Sequence, residues 1–349
     1  MTLENKFQLP NLLKVERNVI SDIKSILEEE NIKYSKYVFV VDENLINVYK
    51  DKIDFIINQL GEDNYIFCVT DNSIKEVSKL NEKVFNFKAD LIIGFGGGRV
   101  LDICKYVSFM SRVKFISMPT ALAHDGIASP IAVLKDKTGI TNSCGCEPAT
   151  AILIDLDIIK SSPLILKQSG VGDLISNIVA LKDWKLAEKY NGERINDFAV
   201  MLSKSSIASI ITREEMSLDD YKFLETLSYA LIMSGVAMEM AGTSRPCSGS
   251  EHMISHSIDY ILGGRAPHGI QVALGTIISL MLYKEDYSNI IDIYKRLEIS
   301  LPKLTREEFL RVMDYAPETR KGRYTIFDTI DDKKVYEDIY EELSHMGIF

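Results

Sequence analysis

Three of the chain's five histidines fall within Ser248–His268, SGSEHMISHSIDYILGGRAPH. Ser248 and Glu251 stand in S-x-x-E order, a capping-box spacing that predicts a helix with Ser248 as its N-cap. His252 then lies in the first turn, with His256 one turn later on the same face. Gly263-Gly264 closes that helix, and Pro267 suits the first turn of the next, with His268 beside it. Imidazoles returned to one another by a tight turn are what a divalent metal with N/O ligands takes. Any one of them is equally a surface or core histidine; the metal reading rests on three around one turn.

A second chemical stretch is Leu91–Asp102, LIIGFGGGRVLD: a buried strand, a glycine turn and the start of a helix. Glycines let backbone approach a diphosphate, and a helix N-terminus offers it free N–H groups. Arg99 stands where G-x-G-x-x-G has its third glycine, and the acidic strand-end residue, Asp42, precedes the loop instead of following it. The stretch is therefore a nucleotide loop of non-Rossmann order or a glycine-rich strand turn. Asp42 would accept from ribose hydroxyls and repel a 2′-phosphate, favouring NAD over NADP; otherwise it is a polar strand end.

Two loops complete the set. Ser117–Pro130, SMPTALAHDGIASP, follows a strand, and Thr120 and Ser129 offer hydroxyls beside the titratable pair His124-Asp125. Strand-end loops of α/β sheets are where ligands sit, although a turn-rich connection has the same look. Ser169–Asn177, SGVGDLISN, places Asp173 after two glycines as the N-cap of a helix. It is either that cap alone or a carboxylate that completes a metal set with two histidines.

The elements that must position these residues change character along the chain. Strand-like runs at Lys36–Val41, Tyr65–Val69, Ala89–Ile93 and Val113–Met118 alternate with helical spacing at Asn72–Leu80 and Gly98–Met110, as in βαβ units. Ile131–Leu134 and Ile140–Ser143 read as a hairpin, and Ala151–Leu156 as a last strand. Ser161-Ser162-Pro163 marks a junction, after which the period is helical throughout. The helices expected there are Asp173–Tyr190, Asn196–Ile211, Asp219–Ala241, Gly249–Leu262, His268–Tyr283, Asn289–Leu297, Arg306–Asp314 and Lys333–Leu343. The expected architecture is an α/β nucleotide-binding domain over residues 1–160 and an all-α domain over 161–349.

With 349 residues, 46% hydrophobic and 26% charged, the chain has ordinary globular composition and room for two cores. A net charge of −10 argues against nucleic acid or anionic membrane as partner. No secretory signal pattern opens the chain, and no run reaches the roughly 18 uninterrupted apolar residues of a membrane span; Tyr229–Met240 is cut by Glu239. Five cysteines without framework spacing fit a reducing cytoplasm.

GFGGGRVLD, PTALAHDGIASP, SGVGD, AGTSRPCSGSEHMISH and RAPHGIQVALGT follow one another between about Val38 and about Gly275. Together they resemble the sn-glycerol-1-phosphate dehydrogenases, in the superfamily of glycerol dehydrogenase, iron-containing alcohol dehydrogenases and dehydroquinate synthase. The resemblance implies a dehydroquinate synthase-like fold and one divalent metal on Asp173, His252 and His268, zinc first, with nickel or iron in relatives. His256 and Asp125 would then face a substrate. Gly96, Gly97, Gly98 and Asp102 would hold the diphosphate of NAD or NADP, with Thr120 and Ser129 near the cofactor. Ala123 departs from the serine usual before HDG. The implied reaction interconverts dihydroxyacetone phosphate and sn-glycerol 1-phosphate; the alternative is a dehydrogenase of free glycerol or another small polyol. A homo-oligomer is expected. Arg245, Arg265, Arg320 and Lys321 are candidates for a substrate phosphate, and the sequence does not choose among them.

Overall fold

A computed structural model of the chain describes residues 8–139 and 141–349. It divides into two compact units, one running to Leu122 and again over Gly126–Ser162, the other formed by Ala123–Asp125 and Pro163–Phe349.

The first unit is a six-stranded sheet with helices between its strands. Its strands are β1 (Leu12–Glu16), β2 (Tyr37–Asp42), β3 (Asn64–Val69), β4 (Leu91–Gly96), β5 (Lys114–Pro119) and β8 (Ala151–Asp155), in the order β1-β8-β5-β4-β2-β3. Every pairing is parallel. The helices are α1 (Ile23–Glu29), α2 (Leu45–Val48), α3 (Lys50–Leu60), α4 (Ile74–Phe87), α5 (Gly98–Ser111) and α6 (Leu156–Ser161). All of β4 and β8 is buried, and β2 up to Asp42, which is why these segments read as unbroken apolar runs. Phe39, Val41, Ile93, Phe95 and Ile116 lie at the centre of the core. A separate antiparallel ribbon joins β6 (Ile131–Lys135) to β7 (Thr141–Gly145). Of the hairpin read at Ile131–Ser143, Ile140 lies outside the described residues. β1 was not foreseen: an edge strand with only two buried residues leaves little periodic signal.

The second unit is helical: α7 (Leu164–Asn191), α8 (Asp197–Ile211), α9 (Tyr221–Ala241), α10 (Ser250–Leu262), α11 (His268–Leu282), α12 (Ser288–Arg296), α13 (Arg306–Tyr315) and α14 (Lys334–His345). Short 3-10 turns cover Ala316–Arg320 and Ile326–Thr329. One satellite core gathers Leu181, Trp184, Ala199, Ile207 and Met240. α7 is long and apolar enough to cross a membrane, yet 78% of its apolar window is buried inside the protein.

Two expected helix starts are displaced. The helix carrying Asp173 begins at Leu164, so Asp173 is an interior residue and not an N-cap. Gly170 and Gly172 are helical, and Gly172 is there for packing: a Cβ on it would lie 2.3 Å from the carbonyl oxygen of Gly269 in α11. Likewise Ser248 does not cap α10, whose N-cap is Gly249 with no side-chain cap bond of its own. Asp183 of α7 replaces it, accepting from the Ser250 N–H at 2.6 Å. Glu251 still reaches back to the Gly249 N–H at 2.6 Å, which is half of the expected box. The close of α10 is as read, with Gly263 and Gly264 both at positive φ, 71° and 83°.

Candidate active site and metal centre

Three helix crossings in the second unit bring three side chains to one point. Gly172 and Gly269 let α7 and α11 touch backbone to backbone, since a Cβ on Gly269 would sit 1.9 Å from the Ser169 carbonyl oxygen. Asp173 and His268 are their immediate neighbours in sequence. Gly275 of α11 does the same for α10, where a Cβ would meet the Glu251 carbonyl oxygen at 2.4 Å, and His252 follows Glu251. Each candidate ligand is thus adjacent to a residue at which two helices nearly merge.

Asp173 Oδ1 lies 3.6 Å from Nε2 of His252 and 3.6 Å from Nε2 of His268. One donor atom from each residue falls within 4.8 Å of the others. The two shorter separations are those of ligand atoms sharing a small ion bonded at about 2.0–2.2 Å. The third face of the set is Asp125, whose N–H donates to Asp173 Oδ2 at 2.9 Å and whose Oδ2 accepts from Ser234 Oγ at 2.8 Å. His256 closes the group, its ring 6.3 Å from His252 and 6.1 Å from His268 between centroids. His124 stands edge-on to His268 at 6.3 Å.

The protonation states suit cation binding. Burial works to raise the Asp173 carboxyl, but His252 and the other imidazoles outweigh it and hold it below the usual carboxylate value. Burial, followed by the charge on His252, pushes His268 down to about 3. Burial and then Arg320 push His256 well below its ordinary value. His252 goes the other way: burial opposes its charge, yet its carboxylate partners Asp173 and Glu251 raise it to about 9. A carboxylate beside a neutral imidazole is a donor set that would suit a divalent ion, and such an ion would take the place of the proton on His252.

Glu251 is the residue that spacing did not reveal. It is fully buried, and its Oε1 lies 2.7 Å from His252 Nδ1, which leaves Nε2 to face Asp173. A carboxylate behind a metal-facing imidazole fixes its tautomer and raises its basicity. Ser255 Oγ plays a weaker version of this part at His268 Nδ1, 3.4 Å away. In the sequence Glu251 looked like a cap only, because adjacent residues on a helix do not normally face one another.

The first unit carries the glycine loop at the carboxyl ends of its central strands, the usual ligand edge of such sheets. Gly96 is opposite Pro119 and Phe95 opposite Val41, so Asp42, Gly96 and Thr120 stand side by side. Thr120 is buried, and its N–H donates to the Gly96 carbonyl at 3.0 Å. Gly96 allows α5 to close on β4, since a Cβ there would meet Val100 Cγ2 at 2.6 Å. Gly97 has nothing within 4 Å of its missing Cβ, an open space in front of the first turn of α5 that starts at Gly98. Ser129 is buried and donates to the Ile131 carbonyl at 3.4 Å.

Two acidic residues near this loop have partners within the protein. Asp42 receives Arg99 at 3.2 Å and Asn44 at 2.9 Å, so it does not stand as a lone carboxylate and gives no simple preference for NAD over NADP. Asp102 accepts from Lys105 at 3.2 Å and from the Val133 N–H at 3.1 Å, which braces α5 to β6.

The fold and the site agree with what the chain is similar to. The iron-containing alcohol dehydrogenase family model matches residues 14–163. A glycerol-1-phosphate dehydrogenase (NAD(P)+) of Archaeoglobus fulgidus is 35% identical over 93% of this chain and 94% of its own length. That of Hyperthermus butylicus is 34% identical over 92% and 93%. A solved structure of a probable glycerol dehydrogenase from Sinorhizobium meliloti 1021 superposes with a TM-score of 0.75 at 19% identity, covering 98% of this chain and 99% of that one. The fold is thus that of the glycerol dehydrogenase and iron-containing alcohol dehydrogenase group. Within it, the chain belongs to the glycerol-1-phosphate dehydrogenase family.

Proposed function

We propose that the protein is a metal-dependent, NAD(P)-linked dehydrogenase that interconverts dihydroxyacetone phosphate and sn-glycerol 1-phosphate. The observation that carries this reading is the meeting of one carboxylate and two imidazole nitrogens at a single buried point, in a chain whose relatives bear that activity in their names. Asp173, His252 and His268 would hold the metal, and the donor set of two nitrogens and one oxygen suits zinc, with iron or nickel compatible. Gly96, Gly97 and Gly98 would carry the diphosphate of the dinucleotide on the first turn of α5, near Thr120 and Ser129. When bound, the cation supplies Lewis acidity at the oxygen of the reacting carbon, and the nicotinamide exchanges hydride.

The protein's own groups do the rest. Asp173 stays ionised at neutral pH, and Glu251 keeps His252 oriented. Ser234 fixes the Asp125 carboxylate, which would accept from a substrate hydroxyl. His256, whose ring lies 6.1 Å from that of His268 between centroids, would pass a proton between the substrate oxygen and solvent.

Recombinant protein assayed with NADH and NADPH on dihydroxyacetone phosphate and on dihydroxyacetone decides the substrate. The phosphorylated ketone should be preferred, with sn-glycerol 1-phosphate as the product. A preference for free dihydroxyacetone would establish the second reading, a glycerol dehydrogenase. Elemental analysis before and after Asp173→Asn identifies the metal. A cytoplasmic location accords with five cysteines that lack the spacing of a disulfide framework, and light scattering tests the expected homo-oligomer.

A further inference from the structure

Four basic residues stood as candidates for a substrate phosphate, and three of them are already matched to carboxylates. Arg245 pairs with Glu193, Arg265 with Glu308, and Lys321 with Glu318 on the surface. Arg320 alone remains, and Arg323 joins it. Among the described residues neither forms an ion pair. Both guanidinium groups instead lean on one hydroxyl: Ser244 Oγ accepts from Arg320 at 3.2 Å and from Arg323 at 3.1 Å. Arg320 also reaches the Nε2 of His256 at 3.4 Å, and Arg323 donates to the Ser248 carbonyl. Two polar atoms at this place are buried without a partner, Arg323 Nε and the Oγ of Ser248, a residue only 4% exposed.

Two permanently charged groups sharing a neutral acceptor repel each other, and a protein interior tolerates this where an anion is meant to enter. The buried Glu251 carboxylate favours the charge on both, yet it forms no ion pair with either, its Oε1 being bonded to His252 and the Gly249 N–H. Burial, then the mutual repulsion with Arg320 and Arg245, lowers Arg323 to about 9.

We infer that Arg320 and Arg323, with the hydroxyls of Ser244 and Ser248, form the subsite that holds the phosphate of a three-carbon phosphorylated ketone or polyol. This rests on the dehydrogenase reading above and names the part of the site that would select a phosphorylated substrate. The position fits that chemistry. His256 lies between Arg320 and the two ligand imidazoles, and in dihydroxyacetone phosphate one methylene separates the carbonyl carbon from the ester oxygen. The 3-10 turn that bears Arg320 is tied to α10 through Thr319 Oγ1 and the Met253 carbonyl at 3.4 Å, so the subsite is built on the same helix as His252 and His256. Planar guanidinium forks bind phosphate oxygens in pairs, which lysine does not.

The test reads kcat/KM on dihydroxyacetone phosphate divided by kcat/KM on dihydroxyacetone, with the metal-loaded enzyme. Arg320→Gln and Arg323→Gln should each lower that ratio about 10- to 100-fold, the range for losing a hydrogen bond to a charged group. Arg323→Lys should fall between Gln and wild type, and Lys321→Gln should keep the wild-type ratio. Equal losses on both ketones would overturn the subsite and leave the dehydrogenase standing. A wild-type preference for free dihydroxyacetone would instead remove the reading on which it depends.

The unsubstituted protein gives a second measurement, independent of how the variants fold. Phenylglyoxal labelling of Arg320 and Arg323, mapped by mass spectrometry, should be suppressed by inorganic phosphate and by dihydroxyacetone phosphate, but not by dihydroxyacetone. Labelling unchanged by saturating dihydroxyacetone phosphate would overturn the proposal.

Discussion

Behind His252 stands a carboxylate that is not one of the three candidate ligands. Glu251 is fully buried, one of its oxygens bonds His252 Nδ1, and the other has no partner. Glu251→Gln should therefore weaken metal binding about 10- to 100-fold, as losing such a supporting carboxylate commonly does. Competition with a chromogenic chelator measures this, and an unchanged affinity would reduce Glu251 to a packing residue. Asp183, also fully buried, works on stability instead. Burial, then the charge on Glu251, raises it to about 6. Its folded value lies above the unfolded one, so the folded state holds the proton more tightly. The associated stability is complete below the ordinary carboxylate range and is lost as pH rises through about 6. The wild-type unfolding free energy should show a downward step of up to about 3 kcal/mol that Asp183→Asn lacks. Urea titrations of dilute protein at pH values on both sides of 6 would reveal it. The residue types of this site were legible in the sequence: Asp173, His252, His256 and His268 were all singled out there. Glu251 was seen as a cap and Arg323 not at all, since neither a neighbour pair nor a distant arginine has a periodic signature.

At the level of elements, glycines set the distances. Gly172→Ala would drive a methyl into the Gly269 carbonyl oxygen at 2.3 Å, where only backbone can yield. Overpacking of this kind costs about 1–3 kcal/mol, and because α7 and α11 would part at the ligand level, metal content should fall as well. A lower Tm together with substoichiometric metal is the expected result; a stable, fully loaded variant would refute the packing argument. Gly97→Ala should behave in the opposite way. Its φ of −81° suits any residue and the space before it is open, so the Tm should hold. A methyl there would stand where the diphosphate approaches, and NADH affinity followed by fluorescence should drop at least several-fold. SGVGD looked like a turn before a helix because two glycines usually end regular structure. Here helix packing overrode that propensity, and the cost of helical glycine is offset by the contact it permits.

For the molecule as a whole, an ion held by Asp173, His252 and His268 would tie three helices of the second unit together. Removing it with a chelator should lower Tm by mass action, by about 3 kcal/mol of stability when the free metal had been 100 times its Kd. Hydrogen exchange should quicken in α7, α10 and α11 while the amides of β2, β4 and β5 keep their protection. Uniform acceleration across both units would contradict a metal seated within the helical unit.

The amino-acid sequence alone determined the order of strands and helices, since period two or an unbroken apolar run is a property of neighbouring residues. It also determined the chemistry on offer: a glycine loop after a buried strand, and a carboxylate with imidazoles in the second half. Tertiary structure alone decided which groups meet. It placed Asp173 inside α7, let Asp183 take over the cap from Ser248, gave Asp42 to Arg99, and, among the described residues, left Arg320 and Arg323 without an ion-pair partner. These are contacts between residues tens of positions apart, and they depend on how closely backbones approach, which local spacing does not encode.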